Sequence, residues 1–282
     1  TGLSKVIDDF GAQGEPPRYP ELLDWLAAEF RESGWDVKNL VRLMVTSRTY
    51  RQSSSASREF LARDPDNRDL ARQGRWRIEA EQVRDSALQV SGLLVPRIGG
   101  PSVRPYQPDG YWENLNFPQR GYDASSGGDQ YRRGLYTWWQ RSYVHPSMLA
   151  FDAATREECA AERNRSNIPQ QALVLLNDPS YVEAARSFAA RILRESSGDD
   201  AARLTWAWRQ ALSRAPQDSE VAALRRLLES QRTAFAKDPQ AASKFTQTGK
   251  APTPAGLDPV QWAAWTDVAR ALLNLHETIT RS

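Results

Sequence analysis

The stretch Pro20-Glu-Leu-Leu-Asp-Trp-Leu-Ala-Ala-Glu-Phe30 decides the fold class. Its apolar residues Leu22, Leu23, Leu26 and Phe30 recur at helical spacing, which predicts a helix with one apolar face. Pro20 suits the first helical turn, where its missing N–H is of no consequence, and Glu21 and Asp24 lie near the positive end of the helix dipole. Gly34 ends this helix, Asp36 can cap the next, and Val37, Leu40, Val41, Met44 and Val45 carry the pattern on toward Tyr50. Together they read as a helical hairpin.

Working outward, residues 51–67 are polar, and a third helix is expected from Glu79 to Leu94, with Val83, Ala87, Leu88, Val90 and Leu94 facing inward. Pro96, Gly99, Gly100, Pro101, Pro105, Pro108 and Gly110 rule out a long helix over 96–111, and a second loop rich in Gly and Ser follows from Gly121 to Asp129. The β-branched and aromatic run Arg133 to Tyr143 favours a short extended segment. Helices return near 155–164, 169–176, 179–196, 200–213, 218–236 and 259–277, punctuated by Asp178-Pro179, Ser197-Gly198-Asp199, Ala215-Pro216 and Asp258-Pro259. Segments 200–213 and 218–236 pair as an antiparallel hairpin, and 246–258 reads as a flexible loop. The expectation is a mainly α, irregular multi-helix domain with a Gly/Pro-rich aromatic loop region and at most a small β element in the middle. It is read as one domain over 1–282, divided into helical 1–95, loop-rich aromatic 96–146 and helical 147–282.

Composition narrows the function classes. With 40% hydrophobic and 26% charged residues, the 282-residue chain is an ordinary folded protein. Ten tryptophans suit either core anchors or a surface for something flat, such as a sugar ring or a heme edge. A net charge of +2 leaves no field to gather nucleic acid or a membrane surface. Of the 37 basic residues only five are lysine, and arginine's forked geometry predicts structural pairing with carboxylates. The single cysteine, Cys159, excludes an internal disulfide, an all-cysteine metal site and the Cys-x-x-Cys-His heme attachment pattern. There is no apolar run long enough for a transmembrane segment. Thr1-Gly2-Leu3 has neither an initiator Met nor a signal-like pattern, so the chain reads as an excised or processed piece whose targeting signal, if it had one, lay upstream.

Chemistry-bearing patterns are sparse. His145 and His276 have no His or Cys partner at ligand spacing, so no metal site is predicted. His276 reads as a cation near a helix C-terminus. His145, before Pro146 in a loop, is the better candidate acid or base, weighed against a plain surface histidine. Nucleophile-elbow and phosphate-loop motifs do not occur. Asp109 and Glu113, flanking Trp112 in the loop that also holds Tyr106, Gln107 and Tyr111, are the carboxylates whose setting most suits a carbohydrate site. Cys159, expected on a helix near Arg156 and Arg163, is either an activated thiol or, the blander reading, a small buried apolar residue.

Six motifs occur in order: Asp9-Phe10-Gly11, Pro20 to Ala27, Ser33-Gly-Trp-Asp36, Ser47-Arg-Thr-Tyr-Arg-Gln-Ser-Ser54, Gly99-Gly-Pro-Ser-Val103 with Pro105-Tyr-Gln-Pro108, and Gln171-Ala-Leu173 with Leu176-Asn-Asp-Pro179. With Asn274-Leu275 and Glu277-Thr278 at the close, the chain resembles the planctomycete secreted domain of unknown function. That domain forms the C-terminal part of large proteins carrying a planctomycete-type cytochrome c domain. The resemblance implies a helical domain of an exported protein (periplasmic, cell-surface or secreted), a sulfatase-like neighbour, and a truncated N-terminus lacking an upstream helix. It implies heme c in an upstream module and no cofactor in this chain. Tyr19 stands where the family usually has His, and His276 where it has Asp. Ser166-Asn-Ile-Pro-Gln-Gln171 varies the usual Thr-Asn-Thr-Pro-Leu-Gln.

Three functions compete. In the first, the chain is a non-catalytic binding or scaffolding domain, contacting polysaccharide or a partner protein through Tyr106, Gln107, Tyr111, Trp112, Trp138 and Trp139. In the second, it is a polysaccharide-modifying enzyme or an oxidoreductase working with the cytochrome module, with Asp109, Glu113, His145 and Arg156 as catalytic candidates. In the third, it is a structural module of the cell envelope.

Overall fold

The structure, a computed structural model, describes residues 3–4, 6–7, 9, 13–108, 110–111, 121–140 and 143–281. Eleven α-helices and one two-stranded sheet lie among these residues, so the mainly α expectation holds. The chain divides into two compact units.

The first unit comprises Thr1–Arg77, Glu158–Arg163 and Thr280–Ser282. Its hairpin pairs α1 (Pro20–Glu32) with α2 (Val37–Thr46), as the sequence predicts. Gly34 and Trp35 both take positive φ in the turn, and the Asp36 carboxylate accepts from Asn39 N at 3.0 Å. A short α3 (Arg58–Arg63) sits in the stretch read as polar loop, capped by the Ser57 hydroxyl on Phe60 N at 3.1 Å. Strands β1 (Trp76–Arg77) and β2 (Thr280–Arg281) pair antiparallel, and the Arg281 guanidinium lies 4.7 Å from the Tyr50 ring and 4.8 Å from that of Trp76. No side chain of α1, α2 or α3 is buried.

The second unit comprises Ile78–Glu157 and Asn164–Ile279 and holds the hydrophobic core. Its helices are α4 (Ala80–Ser91), α5 (Pro146–Leu149), α6 (Pro169–Asn177), α7 (Pro179–Glu195), α8 (Asp200–Leu212), α9 (Asp218–Lys237), α10 (Pro239–Phe245) and α11 (Pro259–Leu273). At its centre α7 packs on α11, where Ala184, Ala185, Ala189, Ala264 and Ala269 keep the backbones close around Phe188 and Trp265. The α8–α9 hairpin, paired as the sequence predicts, buries Leu204, Trp208, Leu224 and Leu228. Helix α10 repeats the Asp-Pro start, with the Asp238 carboxylate accepting from Ala241 N at 2.9 Å.

Two expected elements do not form. Residues 155–164 form no helix: the Asp152 carboxylate accepts from Ser166 N at 2.7 Å, drawing together ends that a ten-residue helix would hold about 15 Å apart. The segment is charged on all sides, so no apolar face rewards helix formation, and Cys159 is exposed in it rather than buried. The described residues of the run 133–143 form no strand. Gly134 opens a 3-10 turn, its N–H donates to Asp85 Oδ1 at 2.6 Å, and extended pairing is reduced to the isolated bridges Val103 to Thr137 and Gln140 to Tyr143.

A Cβ on Gly134 would stand 2.8 Å from Glu81 Cα in α4. Gly134→Ala is therefore expected to cost about 1–3 kcal/mol of stability, as overpacking against rigid backbone does, read as a lower urea midpoint with an unchanged m-value.

Candidate functional site

The densest group of buried polar side chains lies in the second unit. Glu183 and Arg186 stand one turn apart on α7, each about 1% exposed, with Arg186 Nη2 3.8 Å from Glu183 Oε1. Two charges in an apolar interior survive only with further partners. Glu183 Oε2 accepts from the Tyr106 hydroxyl at 2.7 Å, and Oε1 from the Tyr131 hydroxyl at 3.0 Å and from Lys250 N at 2.5 Å, as well as from Ala251 N. Arg186 donates through Nε to Thr248 O at 2.6 Å and through Nη2 to Ala251 O. The pair thus grips loop 248–251 by both its donors and its acceptors. Gly249 makes this possible: its φ is +93°, and a Cβ there would collide with the Glu183 carboxylate. The loop expected to be flexible is tied down at its first half.

Burial, reinforced by the Glu183 charge, raises the pKa of Tyr106 and Tyr131, so both hydroxyls stay protonated donors. Burial lowers that of Arg186, with Glu183 opposing it.

His145 occupies the adjoining layer. It is 2% exposed, which corrects the surface-loop reading. One ring nitrogen, Nε2, lies 3.2 Å from the Tyr106 carbonyl, which can only accept, so the proton belongs there, and Nδ1 accepts from the Ser147 hydroxyl at 2.9 Å. Burial, then the Arg84 charge, pulls its pKa down to about 3. Arg84, from α4, donates to Gln130 O at 2.6 Å, and the Gln130 amide in turn accepts from Tyr106 N at 2.9 Å.

The remaining sequence candidates have separate settings. Gln107 bonds to the Tyr122 hydroxyl, whose pKa burial pushes up to about 12. Tyr111 donates to Val144 O at 3.2 Å and meets Tyr143 edge-on at 5.8 Å. The Arg104 guanidinium covers Trp138 at 4.4 Å, and Arg156 covers Trp139 at 4.2 Å. Asp109, Trp112 and Glu113 lie outside the described residues. So the structure brings Tyr106 and His145 together and leaves Arg156 on a different aromatic ring. Glu183, Arg186, Arg84, Gln130 and Tyr131 were missed from sequence. The available signal was Glu183-x-x-Arg186, a charged pair in a helix otherwise lined by Tyr181, Ala184, Phe188 and Ile192.

A half-open cavity of about 230 Å³ adjoins the cluster, lined by Leu93, Arg186, Arg191, Arg194, Pro252 and Trp262 among others. Arg191 is engaged there by Glu195 and Val90 O, and Arg194 by Ala255 O. Among the described residues no group of His, Cys, Asp or Glu side chains could hold a metal ion.

A family model described as PSD1, protein of unknown function (DUF1553), matches residues 1–228. The chain belongs to this family. Neither a curated protein nor a solved structure matches it. The DUF1553 match takes in all of the Glu183 cluster except loop 248–251, and ends inside α9.

Replacing Glu183 by Gln puts an amide N–H₂ among donors. Glu183→Gln is expected to cost about 3–5 kcal/mol, the scale of breaking a buried pair, and to speed amide exchange at Lys250 and Ala251. His145 gives a pH signature. Because its folded pKa lies below the unfolded value, the unfolded chain binds the extra proton, so the stability it contributes is complete above about pH 6.5 and is lost as pH falls toward 3. Asp178, raised by burial, acts in the opposite sense at the acid end. His145→Gln is expected to flatten the loss of stability between pH 6.5 and 4 in thermal melts.

Proposed function

We propose that the chain is a non-catalytic scaffolding domain of an exported, cytochrome-associated protein, holding a partner protein in place. One observation carries this reading: the buried carboxylate and imidazole of the polar interior are taken up by this chain's own groups. The Glu183 carboxylate and both His145 nitrogens are engaged by this chain's own backbone and hydroxyls. A general acid or base needs a free position within hydrogen-bond reach of a substrate, and these groups act as structural ties. The enzyme alternative asks Asp109, Glu113, His145 and Arg156 to converge, whereas His145 and Arg156 are engaged separately.

The polysaccharide version asks for open aromatic faces, and a guanidinium lies over a face of both Trp138 and Trp139. A protein partner fits better. The ordered motifs from Asp9 to Thr278 support planctomycete origin, export, and a c-type cytochrome module upstream as that partner, with heme c held in that module and a sulfatase-like protein as neighbour. No helix among the described residues is long and apolar enough to cross a membrane.

Cutting the linker between this domain and the heme-bearing part of the full-length protein is expected to leave both in one size-exclusion peak that absorbs at the Soret band. Heme eluting alone would overturn the reading. In the same preparation, hydrolysis of neutral and sulfated polysaccharides is expected at background, and turnover abolished by His145→Gln in a folded variant would favour the enzyme.

A further inference from the structure

Half of the exposed large apolar side chains among the described residues lie on the hairpin of the first unit. Leu22, Trp25, Trp35, Val37, Val41 and Met44 are between 40 and 67% exposed, while Leu26, Phe30, Leu40 and Leu43 are half-buried. Val37, Val41 and Met44 form one stripe at i, i+4, i+7, and Leu22 and Trp25 stand one turn apart on α1. Helices of 13 and 10 residues are too short to persist in water by propensity alone and depend on burying such a stripe. Contiguous apolar surface of this kind marks an interaction site.

Charge identifies the occupant. Helix α1 carries Glu21, Asp24, Glu29 and Glu32 against Arg31, whereas α2 carries Lys38 and Arg42 and no acidic residue. An acidic helix beside a basic one is complementary to itself after a two-fold rotation, which lays each α1 against the other copy's α2. A stable interface takes about 800 Å² from each partner, and the two tryptophans, about half exposed, supply roughly 200 Å² of it.

We infer that the outer face of the α1–α2 hairpin binds the same face of a second copy of this chain across a two-fold axis, α1 of each copy on α2 of the other. This rests on the scaffolding reading and names one of its partners: the domain would bring two copies of whatever is attached to it together.

Sedimentation velocity over micromolar to hundred-micromolar concentrations is expected to give a species of twice the 31.8 kDa chain mass. Val41→Glu is expected to weaken it at least about tenfold, with helical circular dichroism retained. Two charge-reversed chains provide the sharper test. Lys38→Glu with Arg42→Glu, and separately Glu21→Lys with Asp24→Lys, should each be largely monomeric, and mixing them should restore a heterodimer. A wild-type chain that stays monomeric overturns the inference. So does a dimer indifferent to Val41→Glu, which would use another face, and so does a full-length protein that is monomeric where this chain dimerises. None of these outcomes bears on whether the heme-bearing part stays bound after the linker is cut, so the two readings fail separately.

Discussion

A loop-rich segment in a folded protein leaves backbone carbonyls without ladder partners, and this chain answers with buried guanidinium groups. Arg132, fully buried, donates to the carbonyls of Arg97, Gly99 and Pro101 while its guanidinium lies 3.8 Å from the Tyr136 ring. Arg84 and Arg186, also buried, do the same for Gln130 and for Thr248 and Ala251, and the partly exposed Arg191 and Arg270 for Val90 and Leu176. A guanidinium has five donors in a rigid fork and remains charged at any pH the protein meets, so one side chain can satisfy several carbonyls at once. Lysine, a compact ammonium on a flexible stem, lacks that forked geometry. The sequence reading expected arginine to pair with carboxylates, and Arg214 and Arg232 do so, but the buried arginines mainly serve the backbone.

The same constraint shapes the candidate site. Glu183 is the acceptor counterpart of those arginines, holding two tyrosine hydroxyls and two loop amides. Together with Arg186 it converts a helix face into a clamp for loop 248–251.

Much of the helical framework was legible because its signals are local. Pro20, Asp178-Pro179 and Asp258-Pro259 place helix starts and Gly34 places an end, whereas the third helix, expected to run to Leu94, stops at Ser91 before Gly92. The absent helix over 155–164 was illegible because the tie that prevents it, Asp152 to Ser166, joins residues with no pattern between them. The burial of His145 was hidden for a similar reason: its cover comes from Tyr106 and Arg84, both remote in sequence. Glu183 and Arg186 looked like ordinary helix charges, since their one local signal, an apolar lining of α7 around them, does not show which remote hydroxyls and amides they meet.

The Glu183 clamp also bears on the order in which the chain can fold. It joins Tyr106 and Tyr131 to a helix some fifty to eighty residues further on, and that helix to a loop more than sixty residues beyond it. During synthesis the aromatic middle segment emerges before the carboxylate that holds it, and the carboxylate before the amides that complete its shell. The segment's glycines, prolines and aromatics must therefore wait, incompletely packed, until α7 and then loop 248–251 have left the ribosome. Folding of the second unit is in this sense closed from its C-terminal end, and a chain halted before residue 248 would hold a charged, half-satisfied helix at the centre of its core.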